Sequence, residues 1–204
     1  MAIFVATFAG VSVSAAQDVF EIVAPATTRL KVREIRLGQY SDAGDAAAEM
    51  LSVQVIRGLT TSGSGGSSVT PVNLSPVSGA AAATATVEAN NTTVAQDGTG
   101  SVLLADSFNI QRGWRYCPPP EERIEVGVSQ RLVVLITAPA DALTMNGTVV
   151  FEEIGKSPAQ VAFLAVFGAV QMAVPYWLIA RGLRTVSPQE AGTITLLEPL
   201  LHPV

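Results

Sequence analysis

Apolar and polar residues alternate along the first three-quarters of this chain. In Ile3–Phe8, one face carries Ile3, Val5 and Thr7 and the other Phe4, Ala6 and Phe8. Val11 and Val13 alternate with serines, Leu30 and Val32 with Arg29, Lys31 and Arg33, and Leu51, Val53 and Val55 with Ser52 and Gln54. A period of two is the mark of a half-buried strand. The phase slips at Glu34, because Ile35 and Leu37 take the opposite parity, and one extra residue in a bulged strand produces that shift. Leu132–Ile136 is continuously apolar, as a strand buried on both faces would be. Val149 and Phe151 resume the alternation, and weaker strands are expected near Ala85–Ala89 and Val102–Phe108.

Turn residues punctuate these runs at Ala9-Gly10, Ala24-Pro25, Ser41–Gly44, Asp97-Gly98, Cys117–Pro120, Pro139–Asp141 and Asn146-Gly147. Eight to ten short strands at such spacing predict a mainly β protein, an antiparallel sandwich or jelly roll. Asp42–Met50 is the one helix-like stretch, equally readable as a loop with a single turn. Residues 60–101 are rich in Gly, Ser, Ala and Thr. By composition Thr61–Ser68 is a flexible linker, and the small-residue loops are expected as surface excursions or as segments packed against a neighbouring subunit.

The pattern changes near Gly155, dividing the chain into a sandwich domain, 1–155, and an apolar helical tail, 156–204. Ser157–Ala180 holds no charge, and Val161–Ala180 is apolar except for Gly168, Gln171 and Pro175. About 20 apolar residues suffice to cross a bilayer as a helix. Arg181 and Arg184 follow as interfacial charges would. The other reading is a helix buried in an oligomer core. Phe163, Leu164, Phe167, Met172, Trp177 and Leu178 are the candidate membrane or assembly contacts. Met1–Val5 reads as a first strand, without the basic start of a secretory leader, so synthesis in the cytoplasm is expected.

Charge narrows the functions. Fifteen acids face nine bases in residues 1–155, and two face three beyond. Phosphate binding needs clustered Lys and Arg, so a nucleic-acid partner is not expected. A single cysteine, Cys117, excludes an internal disulfide framework and a Cys-rich zinc site. With no histidine in its own domain to activate it, Cys117 reads as a semi-buried thiol. The one histidine, His202, reads as a surface residue.

No catalytic constellation emerges. Gly155-Lys156-Ser157 imitates the end of a phosphate loop, but the glycine required five positions earlier is Val150. Adjacent carboxylates at Glu121-Glu122 and Glu152-Glu153 point to opposite faces of a strand and read as solvated surface. Asp42, Asp45 and Glu49 fit no calcium-loop spacing. The expectation is a non-enzymatic protein with no cofactor, no metal and no small-molecule substrate. A carbohydrate-active enzyme would require a convergent carboxylate pair about 5–9 Å apart in a groove. Arg112, Trp114, Arg115 and Tyr116 form a candidate protein-interaction cluster, since exposed aromatic and arginine side chains make hot spots. Alternatively, Trp114 plugs one end of the sandwich and the arginines pair with Glu121 and Glu122. The triproline Pro118–Pro120 cannot donate to a sheet and so protects an edge.

Two resemblances cover different parts of the chain. Pro175–Arg184, Thr185–Gly192 and Leu196-Leu197-Glu198-Pro199-Leu200-Leu201 resemble the end of one helix, the connection and the Leu-Glu-Pro signature of the next helix in drug/metabolite (EamA-type) transporters. The match spans about forty-five residues. It covers two of about ten helices, too few to form a transport pathway, so it implies no transport. Residues 1–155 are similar in style to small head-associated structural proteins of tailed phages. The features are Phe8-Ala9-Gly10-Val11, Ala15–Asp18, the Gly/Ser loop, Arg131–Val134 and the closing Gly147–Gly155. That resemblance implies a virion location and a capsid-associated or decorating role. The implied partners are a major capsid protein and other copies of the chain, as in a trimer. The alternative is a membrane-anchored binding module with residues 158–201 inserted.

Overall fold

The computed structural model describes residues 2–40, 49–75, 82–155 and 158–182. Contacts divide the chain into Met1–Gly155 and Lys156–Val204. The first unit holds twelve strands among the described residues: β1 Ala2–Val13, β2 Gln17–Val23, β3 Arg29–Gln39, β4 Met50–Arg57, β5 Ser67–Val69, β6 Val72–Asn73, β7 Thr86–Ala89, β8 Ser101–Asn109, β9 Trp114–Tyr116, β10 Glu125–Val126, β11 Arg131–Ile136 and β12 Leu143–Ile154. They form two antiparallel sheets. Sheet A runs β10-β3-β12-β1-β6, with β9 also on β3, and sheet B runs β5-β7-β2-β11-β4-β8. The protein is thus mainly β, an antiparallel sandwich followed by a helix.

The alternation in the sequence produces this layering. Phe4, Ala6 and Phe8 face inward from β1, and Leu30, Val32, Ile35 and Leu37 from β3. They meet Phe20, Ile22, Leu51, Val53, Val55, Leu132, Val134 and Ile136 of sheet B in one core. The parity slip in β3 is a bulge. Val150 pairs Glu34 and Phe151 pairs Val32, which leaves Arg33 as the extra residue.

Two expectations are corrected, and one strand was not foreseen. The strand count exceeds eight to ten because β5, β6, β9 and β10, only two or three residues each, lack room for an alternating pattern. Strand β2 is invisible to that pattern, since Gln17–Ile22 is buried on both faces yet includes Gln17, Asp18 and Glu21. The Gly/Ser tract is not a free linker. Thr61 and Ser64 form backbone bridges to Gln96 and Thr93, and Ser67–Val69 pairs with β7. Most of the stretch thought helix-like, Asp42–Met50, lies outside the described residues, and Met50 itself opens β4.

The second unit contains α1, Pro158–Gly182. Among the described residues no helix is long and apolar enough to cross a membrane. Its described apolar side chains run from Phe163 to Leu178 and are interrupted by Gln171 and Pro175. The Leu-Glu-Pro segment, 196–201, and His202 lie outside the described residues.

Gly147 marks the tightest point of the core. A Cβ there would overlap the Phe8 ring and stand 3.0 Å from Phe20. Those rings are packed against each other, centroids 5.1 Å apart, and have no room to retreat. Gly147→Ala is expected to destabilise the sandwich by about 1–3 kcal/mol, read from urea unfolding.

Candidate functional site

The candidate interaction cluster falls on two environments. Strand β9 is short because Gly113, at φ +69°, turns the chain into it and Pro118 ends it. It pairs with Ile35–Leu37 at the edge of sheet A. Trp114 faces inward and is buried in the core, and its indole N–H donates to Asp106 on β8 at 2.9 Å. The ring thereby joins the edges of both sheets. That hydrogen bond, followed by the Ser107 backbone N–H, holds the Asp106 carboxyl below its ordinary range. Tyr116 stacks beside Trp114, centroids 6.4 Å apart, and its hydroxyl donates to the Glu122 carbonyl at 3.1 Å.

Arg112 and Arg115 are exposed. The expected pairing of the arginines with Glu121 and Glu122 is not what forms. Arg115 instead donates to Glu34 Oε1 at 2.7 Å, because β9 lies beside β3 in register with Arg36 opposite Arg115. Pro118–Pro120 spans the interval between β9 and β10 on this edge, a place with no demand for its missing donors. Cys117 is exposed, not semi-buried.

The second acidic pair also departs from the surface reading. Glu152 is buried with Arg33 3.8 Å away, and Glu153 accepts from the backbone N–H groups of Thr84 and Ala85 at 2.7 and 2.8 Å. Glu153 anchors the loop that leads into β7. Of the three acids weighed for calcium, Asp42 and Asp45 lie outside the described residues, and Glu49 Oε2 accepts from the Ala140 N–H at 2.7 Å. Among the described residues no group of three or more His, Cys, Asp or Glu side chains is placed to hold a metal ion.

On α1, Phe163, Leu164, Phe167, Met172, Trp177 and Leu178 are all exposed. Phe163 and Phe167, one turn apart, stack at 6.0 Å, and the Arg181 guanidinium lies over Trp177 at 5.2 Å.

The most concentrated polar chemistry is a cluster the sequence reading missed, on the outer face of sheet B. Glu21, on β2, has a side chain only 1% exposed. Its Oε1 accepts from Arg131 Nε on β11 and from the Ser62 hydroxyl at 2.5 Å. Its Oε2 accepts from the Gly63 N–H at 2.9 Å and Asn91 Nδ2 at 3.0 Å. Four donors occupy the four acceptor positions of a carboxylate. Arg131 Nη1 continues outward to the carbonyls of Leu59 and Thr60 at 3.1 and 2.8 Å. The loops Leu59–Gly66 and Asn90–Gln96 are thereby clamped over the sheet. Asp18, three residues from Glu21, accepts from the Ala95 N–H at 2.6 Å. Burial, with Glu21 adding to it, pushes the Asp18 carboxyl up to about 6 against the Ala95 bond that lowers it.

This arrangement positions loops, and every acceptor position of Glu21 is used in doing so. The signal available in the sequence was Asp18 and Glu21 set within the apolar run around Val19–Val23, with one arginine leading the apolar β11. Two acids that deep require a cation and backbone donors. No protein-family model, no curated protein and no solved structure matches the chain.

Arg131→Met leaves the Glu21 charge buried without its cation and is expected to cost about 3–5 kcal/mol in chemical denaturation. Asp18 has the opposite pH signature to an ordinary paired acid. Its folded-state value, about 6, lies above the 3.8 of an unperturbed Asp, so between those values the folded state binds more protons than the unfolded. Its contribution to stability is therefore present below about pH 4 and lost as pH rises through about 6. Thermal unfolding of Asp18→Asn across pH 4 to 7 is expected to lack that decline.

Proposed function

We propose that the protein is a non-enzymatic structural component of a phage particle, capsid-associated or decorating, acting through packing against other copies of itself and a major capsid protein. The observation that carries the packing part of this reading is α1. Ten large apolar side chains between Phe163 and Leu178 are exposed, including Phe163, Phe167 and Trp177 at more than half of their surface. Apolar side chains in such a run call for a cover, which this reading assigns to other subunits. The virion part rests on the resemblance of residues 1–155 to head-associated proteins of tailed phages. Clamped loops on sheet B and the Trp114–Asp106 tie suit a module that carries load without changing shape.

A membrane-anchored binding module is the second reading. It is favoured by the same exposed apolar side chains and by Arg181 over Trp177 at one helix end, a pairing suited to an interface.

Mass spectrometry of purified particles tests the first reading, which expects the chain as a stoichiometric band. Absence from every particle preparation overturns it, and carbonate-resistant membrane association moves the assignment to the second. In either case F163S/F167S/W177S is expected to abolish helix-driven association, measured by sedimentation, while the melting temperature of the sandwich stays within a few degrees.

A further inference from the structure

The outer face of sheet B carries a second carboxylate whose partners differ from those of Glu21. In β2, Asp18 pairs Leu135 and Phe20 pairs Val134, so Val19 is the extra residue of a bulge. The bulge sets Asp18 and Glu21 on one face, where a regular strand would send them to opposite faces. Asp18 is 1% exposed. Its Oδ2 accepts from the Ala95 N–H at 2.6 Å, and among the described residues it makes no ion pair.

The surroundings of Asp18 bring it acids and no free base. Glu21 shares its strand, and Glu88 of β7 lies directly opposite Glu21. Asn91 Nδ2 bridges those two carboxylates, at 3.0 and 3.4 Å. The one base of β11, Arg131, is engaged with Glu21 and with the carbonyls of Leu59 and Thr60. The covering loops, Leu59–Gly66 and Asn90–Gln96, contain no charged residue. Asp97, which follows the second loop, is another acid and accepts from the Thr61 hydroxyl. Burial without a cation favours the neutral acid. The rise of the Asp18 carboxyl to about 6, caused first by burial, agrees with that geometry.

The second loop has one tether that depends on this carboxyl and others that do not. Asn91 exchanges backbone hydrogen bonds with Asp18, at 3.1 and 3.0 Å, and Asn90, at φ +63°, turns the chain as it leaves β7. Beyond them Thr93 bridges to Ser64 and Gln96 to Thr61, and Ala95 between them rests on Asp18. Lifting Thr92–Gln96 admits water to Asp18 while Asn91 stays on β2.

We propose that Thr92–Gln96 is a proton-dependent latch: it closes over sheet B when Asp18 is protonated and visits a minor open form more often when Asp18 is ionised. The latch stands apart from the assembly reading, since all of its groups belong to one chain. In the open form water returns the carboxyl to the ordinary Asp range, so opening releases a proton. Between about pH 4 and about 6 the closed form binds more protons than the open one. Opening is therefore rarest below that interval and most frequent above it. A separation of about two pH units between the forms, 6 against 3.8, limits the change to about 100-fold.

Amide hydrogen exchange of the full-length chain from about pH 4 to about pH 7, corrected for the intrinsic rate, tests the latch. The amides of Thr93, Ala95 and Gln96 are expected to lose about 10- to 100-fold in protection across that range. Low concentrations of urea are expected to leave their exchange unchanged, because a local opening exposes little surface. Asp18→Asn keeps an acceptor for the Ala95 N–H and cannot ionise, so its protection is expected to stay flat with pH. Thermal melts establish that the variant is folded. If it does not fold, NMR titration of the Asp18 carboxyl carbon in the native chain takes its place, and the midpoint must coincide with the change in protection. Protection independent of pH in the native chain, an equal decline in Asp18→Asn, or exchange that follows urea as global unfolding does overturns the latch.

Discussion

A carboxylate cut off from water must find all its partners in the protein, and Glu21 sets this requirement for half of the molecule. Its acceptors are filled from β11, from Ser62 and Gly63 on one loop, and from Asn91 on another. Removing any of these groups from place would leave a buried charge short of a donor, at a cost comparable to much of a small domain's stability. The loops are therefore held by polar geometry where their small side chains could not hold them by apolar contact. A layer of Gly, Ser and Thr covers the outer face of sheet B, and Val133, which points to that face, is buried beneath it.

The legible part of the sequence was the part governed by one dominant force. Wherever burial was one-sided, as in β1, β3, β4 and β12, apolar residues alternated and the strand could be read directly. The bulge at Arg33 was readable for the same reason, because it inverted that parity. Strand β2 was not, since both of its faces are covered and its outer face is satisfied by hydrogen bonds instead of hydrocarbon. Composition made the Thr61–Ser68 tract look unconstrained for a related reason. Glycine signals flexibility when nothing approaches it and close packing when something does, and only the neighbours decide. A Cβ at Gly66 would overlap Asn91 Oδ1, and one at Gly63 would stand 2.7 Å from the Thr93 carbonyl.

Of the candidate sites, the sequence displayed the aromatic and arginine side chains of 112–116 but not the strand β9 that carries three of them. It could not assign their directions. Register decides that Trp114 and Tyr116 share a side with Leu37 and Ile35, and that Arg115 shares one with Arg36. The aromatic half of the cluster therefore fastens the sandwich, and only the charged half faces outward. The ion pair follows from the same register, with Glu34 two residues from Arg36 on the same strand face and Glu121 confined to its own turn. On α1 the sequence already showed apolar residues on all sides, and the exposure of those side chains adds the need for something to cover them.

The closeness of Gly66 to Asn91 reaches beyond folding. A stretch that a protein engineer would choose by composition for grafting an epitope or a fusion peptide is instead a keystone of the outer layer. Foreign residues spliced between Ser62 and Ser67 would draw Gly63 off the Glu21 carboxylate, so display on this scaffold calls for a site whose backbone has no such duty.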